Sequence, residues 1–123
     1  MGHRDMLITL TAHKRDVNNV TIAFTMGLKA LEKGHQPEII LLSDGVHIAE
    51  KGYADHINIG PPFKPIAELL PGYLEKGGKL SVCLACMQHN DIKETDIVDG
   101  ADIITADYVV DAIMTTEKTL QLN

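Results

Sequence analysis

The two cysteines of this 123-residue chain, Cys83 and Cys86, lie three positions apart at the end of an apolar run. A thiolate is a strong nucleophile, and two thiols at this spacing can also form a disulfide or contribute to a metal site. If the run is a strand of a parallel sheet, the pair lies at the edge where ligands and reactive groups gather. A turn or helix beginning near Cys86 is then expected to direct free N–H groups at its sulfur and to favour the thiolate.

Four interpretations of the pair are compatible with the residues alone. A zinc site needs about four ligands, and the chain supplies one CxxC with His89 nearby but no second CxxC. A thioredoxin-like dithiol normally follows the first strand of its unit, whereas this pair comes late in the chain. The other two are cysteines that only pack the end of a strand, since free cysteine is often buried, and a thiolate that attacks and carries sulfur.

Polar residues also follow two other apolar runs, where a parallel sheet would bring them to the same edge as the cysteines. Thr11 and His13 follow the first run, and Asp44 and Gly45 follow the second, with Val46 and His47 directly after them. Thr11, His13, Asp44 and Gly45 are candidates for the wall of a ligand pocket, and His47 is expected at the same edge. A simpler interpretation stays open for Asp44 and Gly45, which can supply a turn that needs a side-chain hydrogen bond and a positive φ.

Four short apolar runs rich in β-branched residues predict buried strands. They are MLITLT at 6–11, PEIILL at 37–42, KLSVCLA at 79–85 and ADIIT at 101–105, and TLQL at 119–122 can add an edge strand. Strands that alternate with helices over short connections form βαβ units, whose sheets are parallel. The prediction is a single α/β domain over residues 1–123, with three layers and a mostly parallel sheet flanked by helices.

The first helix is predicted where apolar residues recur at helical spacing from Val20 to Leu31. Asp16, Asn18 or Asn19 can supply the N-cap residue, because their short side chains can accept a hydrogen bond from the first turn. For Asn18, capping is favoured over a place in the wall of the site. Gly34 supplies the stop at the C-terminus of this helix.

The segment between the second strand and Pro65 is rich in glycine and proline and is expected to run over the surface, with one helical turn near residues 46–51. A helix then begins with Pro65 at its first position, but Pro71 and Gly72 are expected to kink or interrupt it. The last helix is predicted to begin at Ala106.

Composition limits the classes of function. Eleven Lys and Arg against seventeen Asp and Glu give a net charge of −6, and the basic residues are scattered, so nucleic-acid binding has little support. No run approaches the roughly 20 apolar residues that span a bilayer, and the N-terminus lacks a signal-peptide pattern. We therefore expect no nucleic-acid partner, no membrane span and a cytoplasmic location, where thiols stay reduced.

The order of these segments resembles the DsrE/DsrF-like family, which includes the TusD-type sulfur-relay subunits. The matching parts are ALEKG at the end of the first helix, DGV after the second strand, GGKLSVC, and GAD before the last helix. The resemblance covers nearly the whole chain. Many relatives place an arginine-glycine pair shortly after the cysteine, whereas this chain has His89, Asn90 and Asp91 there.

The resemblance implies a small sulfur-handling protein that self-associates as a homo-oligomer, a trimer or hexamer. It implies a persulfide on Cys83, loaded from a sulfur donor protein and passed to an acceptor thiol, with no metal or organic cofactor. Cys86 matches a second cysteine of some members and either resolves the persulfide as an internal disulfide or packs beside it. His89 is a candidate for steadying the thiolate or moving a proton. The alternative is a non-catalytic binding or scaffold protein with a small-ligand pocket beside Cys83.

Overall fold

A computed structural model describes residues 4–123, and five parallel strands form its single sheet. They are β1 (Met6–Leu10), β2 (Pro37–Leu41), β3 (Lys79–Cys83), β4 (Ala101–Ile104) and β5 (Lys118–Leu122). The spatial order is β4-β3-β2-β1-β5, and each neighbouring pair is parallel. The predicted α/β class is confirmed, and so is the edge strand predicted from TLQL.

Helices cover both faces of the sheet. They are α1 (Val17–Glu32), α2 (Ile66–Glu75), α3 (Leu84–His89) and α4 (Ala106–Thr115), with 3₁₀ turns at Lys14–Asp16, Ser43–Ala49 and Glu94–Asp96. The first three helices and the 3₁₀ segment Ser43–Ala49 pack on one face, and α4 packs on the other. Helix α4 crosses the second face because it joins β4 to β5, which lie at opposite edges of the sheet. Within residues 4–123, no helix is both long and apolar enough to cross a membrane.

The central strand β2 contains one buried carboxylate. All five residues of β2 are buried, as expected for a strand covered on both faces. Glu38 is fully buried, and its oxygens accept hydrogen bonds from Arg4 Nε at 2.5 Å, Ser81 Oγ at 2.5 Å and the Tyr108 hydroxyl at 2.9 Å. The network therefore joins β2 to β3, to α4 and to the start of the described chain.

Helix α1 begins earlier than its apolar pattern predicts. The capping role favoured for Asn18 is wrong, because Asn18 lies exposed inside the first turn. Of the three cap candidates, Asp16 is the N-cap residue, and its carboxylate accepts the Asn19 N–H at 3.0 Å. The 3₁₀ turn Lys14–Asp16 leads directly into the helix and brings Asp16 to its start.

Helix α2 is continuous, so the predicted interruption at Pro71 and Gly72 is wrong. The helix begins at Ile66, and Pro65 is the N-cap residue rather than the first helical one. A proline inside a helix removes one hydrogen bond, here the one to the carbonyl of Ala67. Ala67 and Pro71 are both on the exposed side of α2, where water can replace that bond.

The segment after β2 is also more buried than predicted. Val46, Ile48 and Ala49 are fully buried in the 3₁₀ segment Ser43–Ala49, which we call the 43–49 segment. The Val98 N–H donates to the Ala49 carbonyl at 2.8 Å, so this segment is tied to the chain that precedes β4. It therefore forms a packed wall at the carboxyl end of β2 and not a surface excursion.

Candidate functional site

The cysteine pair lies at the carboxyl end of β3, at the edge of the sheet predicted from the sequence. Cys83 is the last residue of β3 and the N-cap residue of α3, and it is 5% exposed. Cys86 lies in the first turn of α3 and is half-buried. Both cysteines are free, and Cys83 is one of the groups that raise the pKa of Cys86. The two thiols are therefore neighbours at the start of α3.

The surroundings of Cys86 favour its protonated form. Burial, followed by the hydrogen bond with Cys83, raises the pKa of the Cys86 thiol above its ordinary value. The Ser43 N–H donates to Cys86 Sγ at 3.2 Å and acts in the opposite direction, but it does not outweigh burial. The expected backbone N–H contact is present and favours the thiolate, but it comes from Ser43 and not from the turn at Cys86, and the pKa is still raised because desolvation of the charged sulfur is the larger effect.

Helix α3 is held against the 43–49 segment at two points. The first is the contact from Ser43 to Cys86. Four residues further along each element, His47 Nε2 lies 3.2 Å from Asn90 Oδ1, and Asn90 Nδ2 donates to the Cys86 carbonyl at 2.8 Å. His47 Nδ1 is paired with Glu50 Oε1 at 2.7 Å. The position of Cys86 is thus set in part by the segment that follows β2, through the Ser43 backbone N–H and through His47, which contacts Asn90.

The carboxyl ends of the strands form one edge of the sheet, which we call the rim. A second group of side chains extends this rim from the cysteines toward β1. His13 Nε2 lies 3.5 Å from Asp44 Oδ2, and His13 Nδ1 lies 3.1 Å from the Tyr53 hydroxyl. The His13 and Tyr53 rings lie on the His47 ring, with centroid distances of 5.5 and 5.4 Å. Burial and then the charges of Glu50 and Asp44 raise the pKa of Tyr53. Tyr53 therefore keeps its proton and can donate it to His13 Nδ1, which leaves Nε2–H for Asp44.

Gly45 lies in the rim for a reason other than the predicted positive φ. The left-handed residue of this turn is Ser43, with φ 54°. At Gly45 a Cβ atom would lie 2.4 Å from the carbonyl oxygen of Leu10. Glycine is needed here because the 43–49 segment passes directly over the backbone at the end of β1.

The structure brings together only some of the site residues that were predicted from the sequence. Cys83 and Cys86 are neighbours at the start of α3, and His13 and Asp44 share the same rim. Thr11 instead faces β5, where its Oγ1 lies 3.5 Å from the Leu122 carbonyl. His89 lies exposed at the end of α3.

Three rim residues were not predicted from the sequence: Glu50, Tyr53 and Asn90. His47 follows Asp44 and Gly45 and was expected at the same edge of the sheet. A signal for its partner is the spacing, since His47 lies four residues after Ser43 and Asn90 four residues after Cys86. Only the tertiary structure makes the two elements adjacent.

Two alternative sites are less well supported by the geometry. Within residues 4–123, no three His, Cys, Asp or Glu side chains are grouped so that they could hold a metal ion. A cavity of about 640 Å³ lies at the other end of the strands, near the amino ends of β1 and β5. It is lined in part by Arg4, His35 and Lys118. This cavity is therefore not the small-ligand pocket predicted beside Cys83.

The fold and the site together define a class: a small α/β protein with a dithiol at the carboxyl edge of a parallel sheet. The sequence profile of the DsrE/DsrF-like family matches residues 5–122. The chain belongs to this family, and the resemblance inferred from its sequence motifs is confirmed.

Three relatives illustrate the match. An uncharacterised protein of Methanocaldococcus jannaschii is 33% identical over 84 residues, which are 68% of each chain. A second uncharacterised protein of the same organism is 28% identical over 102 residues, covering 83% of this chain but 37% of that protein. This chain thus spans little more than a third of that longer relative. The crystal structure of the YchN protein from E. coli has the same fold, with a TM-score of 0.79, 15% identity and coverage of 97% of this chain and 99% of that one.

Proposed function

We propose that this protein carries sulfane sulfur as a persulfide on Cys83 and passes it between partner thiols. The observation that carries the proposal is the pair of free thiols at the carboxyl end of β3 and the start of α3. Membership of the DsrE/DsrF-like family supports it, because that family suggests a role in sulfur relay. Such chemistry needs reduced thiols, so the proposal includes a cytoplasmic location.

The proposed transfer needs no oxidant. The Cys83 thiolate attacks the outer sulfur of a donor persulfide, the donor S–S bond breaks, and the donor leaves as a thiolate. An acceptor thiolate then attacks the outer sulfur on Cys83 and frees Cys83 again. The raised pKa of Cys86 keeps its proton in place near neutral pH, so its S–H can donate to the Cys83 sulfur and stabilise negative charge there.

Sulfur loading is expected on Cys83. We predict that the Cys86→Ser variant, treated with a cysteine desulfurase and cysteine, gains the mass of one sulfur atom that a reductant removes. The Cys83→Ser variant should gain none, because the thiolate that attacks the donor is absent. Intact-mass and peptide mass spectrometry measure both.

The two variants control each other, since each retains one thiol and differs by one atom from the native chain. Unfolded protein treated in the same way reports any reaction that does not need the site. Sulfur found on Cys83→Ser but not on Cys86→Ser would move the carrier role to Cys86, and sulfur on neither would end the proposal.

The proposal also includes self-association through the outer face of α4. Val110, Ile113 and Met114 are 57%, 41% and 76% exposed, and their spacing puts them on one side of the helix. Monomeric proteins rarely expose contiguous apolar surface of this kind. We propose that a second copy of this chain covers the stripe. Among the described helices α4 alone covers this face of the sheet, and a twofold contact through α4 would bury the same stripe on both copies.

Acidic substitutions in this stripe should dissociate the oligomer. We expect native protein to have the mass of an oligomer and the Ile113→Glu, Met114→Glu double variant to have the mass of one chain, because burying four carboxylates per pair of copies is unfavourable. Light scattering coupled to size exclusion measures the masses. Met26→Glu on α1, also at an exposed apolar position, should leave the assembly unchanged. A native monomer, or a double variant with the native mass, would contradict the proposal.

A further inference from the structure

His47 is held between two hydrogen-bond acceptors at the rim. Its Nδ1 lies 2.7 Å from Glu50 Oε1, and its Nε2 lies 3.2 Å from Asn90 Oδ1. The Asn90 amide has one suitable orientation, because its Nδ2 donates to the Cys86 carbonyl at 2.8 Å and a reversed amide would place two oxygens against each other. Both ring nitrogens therefore face acceptors, and only an imidazole with a proton on each nitrogen satisfies both.

A neutral His47 ring cannot keep both contacts. The Glu50 carboxylate is the stronger acceptor and retains the Nδ1–H, so the bare Nε2 then faces Asn90 Oδ1. Two acceptors at 3.2 Å repel each other, and Asn90 cannot reverse its amide without losing the hydrogen bond to the Cys86 carbonyl. Loss of one proton from His47 therefore breaks the tie between the 43–49 segment and helix α3.

We infer that His47, in its doubly protonated form, is a positioning residue for the Cys86 thiol. It acts through Asn90, which it holds against the 43–49 segment while Asn90 holds the Cys86 carbonyl. The second tie is the Ser43 N–H, which donates to Cys86 Sγ at 3.2 Å. When the first tie breaks, α3 moves relative to the 43–49 segment, and the Ser43 N–H stabilises a Cys86 thiolate less. The inference needs no persulfide, and only its consequence for sulfur transfer rests on the proposed function.

The surroundings of His47 show which ring can act on α3. The titratable and charged groups that face His47, directly or through one neighbour, are Glu50, His13, Tyr53, Asp44 and Lys14. Burial, followed by the charge of Glu50, raises the pKa of Tyr53, so its hydroxyl stays uncharged and can donate to His13. From α3 the facing group is the uncharged amide of Asn90. Of the two stacked histidines, His47 is the one bonded to α3.

The test measures the alkylation rate of Cys86 against pH in Cys83→Ser protein, which retains a single thiol. The rate follows the thiolate fraction and rises about tenfold per pH unit below the pKa of Cys86. Histidine side chains ordinarily change charge between about pH 5 and 8, so the measurement spans that range. We expect the rate to fall about twofold to tenfold below this line as His47 loses its proton, because the Ser43 N–H contact weakens. Ring ¹⁵N shifts should show His47 losing its proton over the same pH interval as this fall, which we call the step.

Three variants in the same Cys83→Ser background identify the residues that produce the step. His47→Gln should lose the step, because glutamine has one donor nitrogen and does not change charge. Asn90→Ala should also lose it, although His47 still gains and loses its proton. The matched control is His13→Gln, the same substitution in the ring that lies 5.5 Å from His47, and it should keep the step.

Several results would overturn the inference. A step in Asn90→Ala as large as the one without this substitution would show that the charge of His47 acts on the thiolate through space and not through Asn90. A step that persists in His47→Gln, or its absence when both histidines and Asn90 are present, would exclude His47 altogether. Circular dichroism of each variant excludes a difference caused by unfolding. No sulfur donor is added, so none of these results decides the carrier role, which the loading experiment tests separately.

Discussion

Glu38→Ala is expected to lower the free energy of unfolding by about 3–5 kcal/mol, the range for removing one partner of a buried ion pair. Glu38 is fully buried and accepts hydrogen bonds from Arg4, Ser81 and Tyr108. Without the carboxylate, the 18%-exposed Arg4 side chain loses its counter-charge and the buried Ser81 hydroxyl loses its acceptor. Two or three donors are then left unsatisfied in the layer beneath α4, which is why the effect should be large.

Urea denaturation followed by circular dichroism measures this loss of stability. The matched control is Asp102→Ala, which removes the partner of Lys79 in an ion pair of 2.8 Å. Both of those side chains are well exposed, so the expected change is about 0–1 kcal/mol. A loss below about 1 kcal/mol in Glu38→Ala would show that the buried network adds no more than a surface pair.

Gly45→Ala is expected to lower the stability by about 1–3 kcal/mol and to slow alkylation of Cys86. The added methyl group would lie 2.4 Å from the Leu10 carbonyl oxygen, which belongs to the backbone of β1 and cannot rotate away. The 43–49 segment must therefore move outward, and the Ser43 N–H would move away from Cys86 Sγ. Loss of this N–H removes the interaction that lowers the pKa of Cys86, so less thiolate is present at a given pH.

Urea denaturation and the alkylation rate of Cys86 in a Cys83→Ser background test this prediction together. Gly72→Ala is the control, because a Cβ atom there meets nothing within 4 Å in the middle of α2. Alanine should stabilise that helix by about 0.5–1 kcal/mol and leave the alkylation rate unchanged. Native stability and native reactivity in Gly45→Ala would show that the close approach at Leu10 has no influence on the thiol.

Much of the architecture could be predicted because it depends on short-range patterns. The apolar runs from Met6, Pro37 and Lys79 became strands, since continuous apolar sequence of that length fits a sheet covered on both faces. The alternation of strands and helices along the chain predicted that the sheet is parallel. Because β3 is a parallel strand that ends at Cys83, the two cysteines lie at the carboxyl edge of the sheet.

Local preference failed where the surrounding structure decided the outcome. Asn18 and Asp16 are both good caps, and the 3₁₀ turn before α1 selected Asp16. Pro71 remained inside α2 because its neighbours Leu70 and Tyr73 are buried by packing that compensates for one missing hydrogen bond.

The sequence by itself therefore determined the fold class, the family and the location of the dithiol. Only the tertiary structure decided that Cys83 is the more buried thiol, that Cys86 holds its proton, and that His47 contacts Asn90. The reason is physical: ionisation and reactivity depend on desolvation and on hydrogen-bond donors within a few ångströms. For Cys86 the backbone donor is Ser43, 43 residues away in the chain, and its distance from the sulfur is fixed by how the 43–49 segment packs over β1.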